Sequence, residues 1–197
     1  MFELRHADNL NFTDFAILYR TNAQSRIFEE TLRKHAVPYR IYGGLSFYLR
    51  KEIKDVIAYF RMAVNPNDEE ALKRIINYPA RGIGNTTLSK IVDAANNYGV
   101  SLWNVINSPL SYGLNFNKGT QTKLDSFVQL MGTFIEMAVR DNADVAGNAI
   151  VKNSGIIQDI YQDRTPENVS RQENVEELLN GLQEFVTTRM EEGITNL

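Results

Sequence analysis

The stretch that decides the fold is NYPARGIGNTTLSKIV (residues 77–92), in which Gly82, Ile83 and Gly84 separate two helix-like patterns. Before the glycines, EEALKRIINY (69–78) places apolar residues at helical spacing, and after them NTTLSKIVDAANNYG (85–99) does the same. Glycine is used where the backbone turns tightly or approaches another group closely. Helix, Gly-hydrophobic-Gly, helix is the pattern of a helix-hairpin-helix element, and we predict one here.

A hairpin of this kind suits contact with phosphate groups. Small residues leave the backbone amides around Ile83 unshielded, and the positive N-terminus of the next helix points the same way. We expect Ile83 to enter the core while the amides of the turn face a phosphate, which positions a duplex without reading its sequence. The alternative is an ordinary helix end with a glycine cap. The candidate duplex-binding residues are Arg81, Gly82, Ile83, Gly84, Thr86, Thr87 and Lys90.

A degenerate echo of this pattern follows in YGLNFNKGTQTKL (112–124), again with glycines and lysine before a helix. Its glycines lie too far apart for the same hairpin. Each phosphate neutralised by a Lys or Arg adds about 0.9 to the salt slope of duplex binding. Contacts through Arg81, Lys90, Lys118 and Lys123 therefore predict weak, salt-sensitive binding.

Composition excludes several classes of function. The 197 residues are 43% hydrophobic, which suffices for a core in one domain or two small ones. There is no cysteine, so disulfides and thiolate metal sites are excluded and a reducing compartment is expected. His6 and His35 are too few for a histidine metal site or triad. No apolar run approaches the roughly 20 residues that span a membrane, so we expect a cytoplasmic protein without a membrane partner.

Charge is distributed unevenly along the chain. Residues 1–61 carry ten Lys and Arg against seven Asp and Glu, whereas residues 140–197 carry five against eleven. The net charge of −3 argues against a nucleic-acid binder when taken whole. The asymmetry suggests a basic amino-terminal part and an acidic carboxy-terminal part with different partners, although ordinary solvated helices would also produce it.

The amino-terminal part predicts a βαβ unit. DFAILYR (14–20) is a short apolar run typical of a buried strand, TNAQSRIFEETLRKHAV (21–37) has helical periodicity, and YRIYGG (39–44) is a second strand closed by glycines. Two strands joined in this way should be parallel, with a right-handed crossover. Because a two-stranded parallel sheet is marginal, we expect this unit to be one piece of a larger α/β domain.

From Ser46 onward the periodicity is helical throughout. The fold class predicted is therefore mainly α, with a short βαβ piece followed by an all-helical domain that contains the helix-hairpin-helix. The change of character near residues 61–66 places a domain boundary between residues 1–62 and residues 63–197.

Residues 14–90 closely resemble the UvrD/PcrA/Rep family of superfamily-1 DNA helicases. The resemblance rests on four elements in order: YRTNAQSR, GGLSFYLRKEIKD, NPNDEEALKRIIN and RGIG. Beyond residue 100 the likeness is looser and consists mostly of helix pattern and the final RQENVEELL. The resemblance implies that residues 1–62 are part of a RecA-like motor domain (2A) and that residues 63–197 are most of the inserted helical domain (2B).

The function implied by this family is that of a fragment of an ATP-dependent 3′-to-5′ DNA helicase. Domain 2A would contribute part of the single-strand track, and domain 2B would grip duplex DNA and regulate unwinding by swivelling. Carried over residue by residue, the resemblance puts the "YRTNAQSR" residues and the "YLRKEIKD" arginine near the single-strand channel or the interface between domains. These residues are Asn22, Gln24, Ser25, Arg26 and Arg50.

The sequence contains no G-x-x-x-x-G-K-[ST] phosphate loop, so this chain should not hydrolyse ATP by itself. We expect no catalytic residue, no metal site and no cofactor in it; ATP and magnesium would belong to the parent helicase. The expected partners are duplex DNA, the single-strand junction and the rest of the motor.

Two other interpretations stay open. The acidic segment 140–197 would repel a phosphate backbone and suit a basic protein, which favours an autoinhibitory or protein-interaction module of a helicase or helicase-like nuclease subunit. A stand-alone helical DNA-binding protein is the other possibility.

Overall fold

The fold is an assembly of α-helices, seen in a computed structural model that describes residues 2–194. Four short 3₁₀ turns connect some of the helices in the described range, at Phe12–Asp14, Asn22–Gln24, Phe47–Leu49 and Pro109–Tyr112. The helices are α1 (Phe2–Asp8), α2 (Ser25–Lys34), α3 (Lys51–Val64), α4 (Glu69–Ile75), α5 (Asn85–Tyr98), α6 (Leu102–Asn107), α7 (Lys118–Arg140), α8 (Ala143–Asn153), α9 (Ile156–Ile160) and α10 (Pro166–Glu191).

Local signals determine where several of these helices begin and end. A side-chain oxygen accepts a hydrogen bond from a first-turn amide at the N-cap of four helices, which satisfies one of the otherwise unpaired donors there. Gly99, with φ of 64°, ends α5 in the left-handed conformation expected of a C-terminal glycine. The four N-caps are Asp68 on α4, Ser101 on α6, Asn117 on α7 and Thr165 on α10.

The core is built around α3. This helix packs against α4, α7, α8 and α10, and α5 and α6 extend the same apolar cluster. The rings of Tyr59 on α3 and Phe134 on α7 meet edge-on at 6.2 Å, and both residues are fully buried. Ile83, at the bend between α4 and α5, belongs to this cluster and is 2% exposed. The core therefore reaches directly beneath the glycine-flanked bend.

The predicted strands are not formed. No strand occurs within residues 2–194, so the mainly α prediction is confirmed, whereas the βαβ prediction is corrected to segments without regular secondary structure on either side of α2. Phe15 has extended backbone angles, but no ladder partner accompanies it in the described part of the chain. Leu18 and Tyr42 are 93% and 84% exposed. Extended backbone becomes a strand only when a neighbouring strand supplies hydrogen bonds, and apolar residues there stay exposed without a covering layer.

The division between residues 1–62 and 63–197 stays a prediction. Phe47, Ile53 and Met62 lie in one apolar cluster with residues of α4 to α8, so the core is continuous across the predicted boundary. Within residues 2–194, no helix has the length and apolar character needed to cross a membrane.

Candidate nucleic-acid interface

The bend between α4 and α5, residues 76–84, is closed by a single side chain. The Oδ1 atom of Asn77 accepts hydrogen bonds from the backbone N–H of Arg81, at 2.9 Å, and of Ile83, at 3.0 Å. Gly82 lies between these two donors with φ of 70°, a conformation that favours glycine. The arrangement is a helix, a bend and a helix; its assignment as a DNA-binding helix-hairpin-helix stays a prediction.

The expectation that the amide of Ile83 faces a phosphate is wrong, because Asn77 already accepts its hydrogen bond. The unshielded amides lie slightly further along the chain. Gly84 is the N-cap of α5 without a side-chain cap, and the N–H groups of Gly84, Asn85 and Thr86 have no acceptor among the residues that the structure describes. All three residues are exposed. The donors that could meet a phosphate are therefore the N–H of Gly82, which also has no acceptor among the described residues, and those of the first turn of α5.

Arg81 also differs from the expectation, because its guanidinium points into the protein. Its Nη1 donates to the carbonyl oxygens of Ile75, at 3.0 Å, and Pro79, at 3.2 Å. Its Nη2 donates to the Tyr59 hydroxyl, at 2.6 Å, and to the carbonyl oxygen of Ser154, at 2.9 Å. A guanidinium held by four internal acceptors is not available to a phosphate. The sequence placed Arg81 at the surface because the prediction considered the charge of the side chain and not the acceptors that surround it.

The hydroxyl beside Arg81 keeps its proton. Burial raises the pKa of Tyr59 to about 12, and the nearby charge of Arg81 opposes this rise only in part. The neutral hydroxyl can therefore accept from Arg81 while it donates to the carbonyl oxygen of Tyr78, at 2.6 Å. This chain of hydrogen bonds fixes the inner side of the bend to α3.

Lys123 brings a cation to the outer side of the bend. From α7, its Nζ donates to the carbonyl oxygen of Gly82 at 3.2 Å, and the residue is exposed. Lys90 is exposed on α5, one turn after Thr86, and Thr87 is half-buried beside it. We call Gly84, Asn85, Thr86, Lys90 and Lys123 the α5 entry surface. It contains bare amides, a hydroxyl and two cations, which is the chemistry that holds a sugar-phosphate backbone.

The residues expected near a single-strand channel or domain interface form a second group. Arg26 is 3% exposed, and its guanidinium pairs with Glu177 at 2.7 Å, Glu184 at 2.9 Å and Glu30 at 3.0 Å. Burial alone would lower the pKa of Arg26, but the hydrogen bonds to Glu177 and Glu184 raise it above its ordinary value. Two of these carboxylates lie on α10. Arg26 therefore ties the start of α2 to the last helix.

Arg50 makes a second tie to α10. Its Nη1 donates to the Asn174 side chain, at 2.7 Å, and to the carbonyl oxygen of Asn22, at 2.8 Å, while its Nη2 donates to the Ser25 hydroxyl, at 2.9 Å. Burial lowers the pKa of Arg50, and the negative charges of Glu29 and Glu52 oppose the change. Arg50 is 8% exposed, so it does not lie on a solvated helix face.

The other two residues of this group have local roles. The Asn22 side chain donates to the Ser170 hydroxyl at 3.3 Å, which also reaches α10. The Gln24 side chain accepts from the amides of Arg20, at 2.8 Å, and Thr21, at 3.2 Å, and so closes the turn before α2. The structure thus brings the five predicted residues together, with their polar groups largely engaged inside the protein.

Sequence reasoning missed the residues of α10 that receive these ties. Asn174 is 3% exposed, and its amide donates to Glu52 at 2.7 Å while it accepts from Arg50. A Cβ added at Gly181 would lie 2.8 Å from Nη1 of Arg26, so the glycine leaves room for the guanidinium. A signal was present in the spacing, because four residues recur every three or four positions on one face of α10. They are Asn174, Glu177, Gly181 and Glu184.

No group of three or more His, Cys, Asp or Glu side chains within the described residues could hold a metal ion.

Comparison with known proteins identifies relatives across most of the chain. The family described as "UvrD-like helicase C-terminal domain" matches residues 2–197. The ATP-dependent DNA helicase PcrA of Leuconostoc citreum is 36% identical over 183 residues, which are 93% of this chain and 24% of the relative. DNA helicase II of Salmonella typhimurium is 36% identical over 174 residues, 86% of this chain and 24% of the relative. DNA helicase II of Escherichia coli is 34% identical over 186 residues, which are 92% of this chain and 25% of the relative. The chain thus spans about a quarter of the length of these relatives.

Proposed function

Because this chain belongs to the family of UvrD-like helicase C-terminal domains, we propose that it is part of an ATP-dependent DNA helicase and that it holds duplex DNA. Its relatives bear the names ATP-dependent DNA helicase PcrA and DNA helicase II. The hold on the duplex is assigned to the α5 entry surface.

The observation that carries this proposal is the set of unpaired amides at Gly84, Asn85 and Thr86, on the N-terminus of a 14-residue helix. A helix N-terminus favours an anion through its dipole and its free N–H groups. Lys90 and Lys123 add positive charge, and backbone amides contact phosphate groups without reading base edges. Binding through these groups is independent of base sequence and weakens with salt.

The remaining roles follow from the family and are proposals about the parent protein. Residues 1–62 would complete a RecA-like motor domain 2A and contribute to the single-strand track, while residues 63–197 would form domain 2B. ATP and magnesium would bind elsewhere in the parent, because this sequence has no G-x-x-x-x-G-K-[ST] loop. Closure of the motor would move single-stranded DNA in the 3′-to-5′ direction, while 2B grips or releases the duplex. Such a protein would act in the cytoplasm.

The sharpest test changes only the charge at the N-cap of α5. Gly84 has φ of −78°, and a Cβ at this position would meet nothing within 4 Å. Gly84→Asp and Gly84→Asn are both good N-caps, so both should fold with α5 intact. Only Gly84→Asp places a carboxylate where the phosphate would bind. Both new caps occupy a first-turn amide, so we expect some loss of affinity for a labelled duplex in each, and we expect Gly84→Asp to bind at least about tenfold more weakly than Gly84→Asn, a difference of about 1.4 kcal/mol.

The measurement is a fluorescence titration of a DNA fork and of a blunt duplex, at about 50 and 200 mM salt. Equal affinity of the Asp and Asn variants for both DNAs would remove the α5 entry surface from the duplex contact. A thermal melt of each variant separates a loss of affinity from a loss of folding.

A second candidate function rests on the acidic end of the chain. Residues 140–197 carry five Lys and Arg against eleven Asp and Glu, a balance that suits a basic protein surface better than a phosphate backbone. In this alternative the domain is an autoinhibitory or protein-interaction module. It predicts that neither the wild-type chain nor Gly84→Asp binds the fork, even at low salt.

A further inference from the structure

We propose that Arg81 is a positioning residue, which docks the bend before α5 onto the junction between α8 and α9 and thereby aims the α5 entry surface at the duplex. The inference deepens the proposed function and rests on it for its effect on DNA. It differs from the role that charge alone suggests, in which Arg81 would touch the phosphate directly.

Arg81 joins four separate parts of the fold. Its acceptors are a carbonyl at the end of α4, a carbonyl within the bend, a hydroxyl on α3 and a carbonyl just after α8. A planar guanidinium can satisfy several acceptors in fixed directions, whereas a lysine ammonium is a point charge on a flexible stem. The carbon at the centre of the guanidinium also lies 5.8 Å and 5.6 Å from the ring centroids of Tyr59 and Phe127. The contact therefore depends on the shape of arginine as well as on its charge.

The α8–α9 junction is itself held by hydrogen bonds of Ser154. Ser154 is 4% exposed, and its hydroxyl donates to the carbonyl oxygen of Val151 at 3.2 Å and accepts from the amide of Ile156 at 3.3 Å. Gly155 has φ of 88°, and a Cβ there would lie 3.5 Å from Cγ of Pro79 in the bend. The bend thus meets the junction at two points, through Pro79 and through Arg81. The junction gives the bend a fixed support far along the chain.

Only a few residues of the chain separate the supported bend from the free amides of α5. Asn77 closes the bend on the amides of Arg81 and Ile83, and the unpaired amide of Gly84 follows immediately. The direction in which α5 begins is therefore set by how the bend sits on α3 and on the α8–α9 junction. Loss of the hydrogen bonds from the Arg81 guanidinium should change the direction in which these amides point, although all of them remain present.

The test compares Arg81→Lys with Arg164→Lys, since both make the same substitution and keep the charge. The 197-residue chain is titrated with a labelled blunt duplex across a range of salt concentrations, and each variant is melted. We expect Arg81→Lys to bind about tenfold more weakly, because several hydrogen bonds of a charged donor are lost, and to keep the salt slope of the wild type. Arg164→Lys, at an exposed position outside the α5 entry surface, should leave both affinity and slope nearly unchanged. Wild-type affinity in Arg81→Lys would overturn the proposal.

Arg81→Gln distinguishes the two roles of Arg81 most directly. A phosphate ligand lost from the contact would lower the salt slope by about 0.9, whereas loss of a positioning residue leaves the slope unchanged. Tyr59→Phe gives an independent variant, because Tyr59 is fully buried and cannot touch DNA. It removes one acceptor of Arg81, and we expect about a threefold loss of affinity at constant slope. A lowered slope in Arg81→Gln would overturn the proposal.

A DNA-free readout separates this proposal from the duplex grip. In Arg81→Lys, we expect changed amide chemical shifts at Gly155 and Ile156 as well as at Gly84 and Asn85, because the substitution releases both sides of the docked contact. If these shifts change while neither the wild-type chain nor any variant binds duplex, the docking role stands and the proposed function fails. If the shifts at the α8–α9 junction do not change, the docking role is wrong, whatever the DNA titration shows.

Discussion

Lys123 donates a hydrogen bond from Nζ to the backbone carbonyl of Gly82, at 3.2 Å, and this contact joins α7 to the glycine-flanked bend across 41 residues of sequence. A Cβ at Gly82 would lie 2.7 Å from the same Nζ, so the lysine crosses the bend in space that only glycine leaves open. Gly82 is therefore favoured chiefly by its positive φ, since the flexible end of Lys123 could move away from an added Cβ. The cation thus lies against a carbonyl two residues before Gly84, the N-cap of α5.

We predict that Lys123→Gln lowers the salt slope of duplex binding by about 0.9, because one phosphate contact is lost. Affinity at low salt should fall while the melting temperature changes little, since Lys123 is exposed. Lys152→Gln, an exposed lysine on α8, is the matched control and should leave the slope unchanged. The measurement is the duplex titration at several salt concentrations. An unchanged slope in Lys123→Gln would remove this lysine from the contact.

Gly181→Ala should destabilise the chain, although alanine is the better helix former. Its Cβ would lie 2.8 Å from Nη1 and 3.0 Å from Cζ of Arg26, which three carboxylates hold in place. We expect the free energy of unfolding to fall by about 1–2 kcal/mol, as for other overpacked sites. Gly132→Ala on α7 is the matched control: a Cβ there meets nothing within 4 Å, so the free energy of unfolding should rise by roughly 0.5–1 kcal/mol.

A double-mutant cycle identifies the cause of this effect. In an Arg26→Ala background the clash is absent, so Gly181→Ala should no longer destabilise and should approach the gain of Gly132→Ala. The same penalty in both backgrounds would show that Arg26 is not the obstacle. Chemical denaturation provides all four free energies.

Asn174→Ala should lower the free energy of unfolding by about 2–3 kcal/mol, because two buried partners lose their hydrogen bonds together. Asn174 bridges the guanidinium of Arg50 and the carboxylate of Glu52, and all three residues are less than 9% exposed. Asn180→Ala, on an exposed position of the same helix, is the control and should change stability by no more than about 0.5 kcal/mol. Equal effects of the two substitutions would contradict the bridging role.

The N-cap of α4 should make stability depend on pH in acid. A hydrogen bond from the amide of Ala71, followed by one from Arg61, holds the pKa of Asp68 below its usual value. A depressed pKa means that the contribution is complete above the ordinary aspartate value, about 3.9, and is lost as the pH falls through the lower folded value. Asp68→Ala should cost about 1 kcal/mol near neutral pH.

Asp68→Asn isolates the ionised form, because asparagine caps a helix but carries no charge. We expect the difference in free energy of unfolding between the wild-type chain and Asp68→Asn to disappear as the pH is lowered below about 4. Because the group faces water, added salt should also reduce the difference at neutral pH. A difference that grows in acid would contradict the assignment of this cap.

Helix periodicity and caps were predictable from local sequence. Gly99 ends α5 and Ser101 caps the start of α6, which are the roles that these residue types favour. Ile83 enters the core as expected. These features depend on residues only a few positions apart. The absence of strands at residues 14–20 and 39–44 was not predictable in the same way, since a strand depends on a partner that its own sequence does not name.

The sequence pointed to the glycine-flanked bend as a candidate site, and the structure changes which of its polar groups are free. Gly84, Thr86 and Lys90 lie on an exposed helix N-terminus, but Arg81, which carries the charge nearest to the bend, points inward. Sequence spacing could not reveal this, because one acceptor of Arg81 lies 73 residues away. The ties from Arg26 to α10 were missed for the same reason, since their partners lie 151 and 158 residues further along the chain.

The sequence by itself determined the family, the helical class, the bend and the helix ends, because motif order, periodicity and capping are written in neighbouring residues. Only the tertiary structure decided which polar groups are free and which are already bound. Internal acceptors occupy Arg26, Arg50 and Arg81, while packing of α7 delivers Lys123 to the bend. The physical reason is that a charged side chain binds the acceptors that folding brings within hydrogen-bond distance, and these are set by packing and not by separation along the chain.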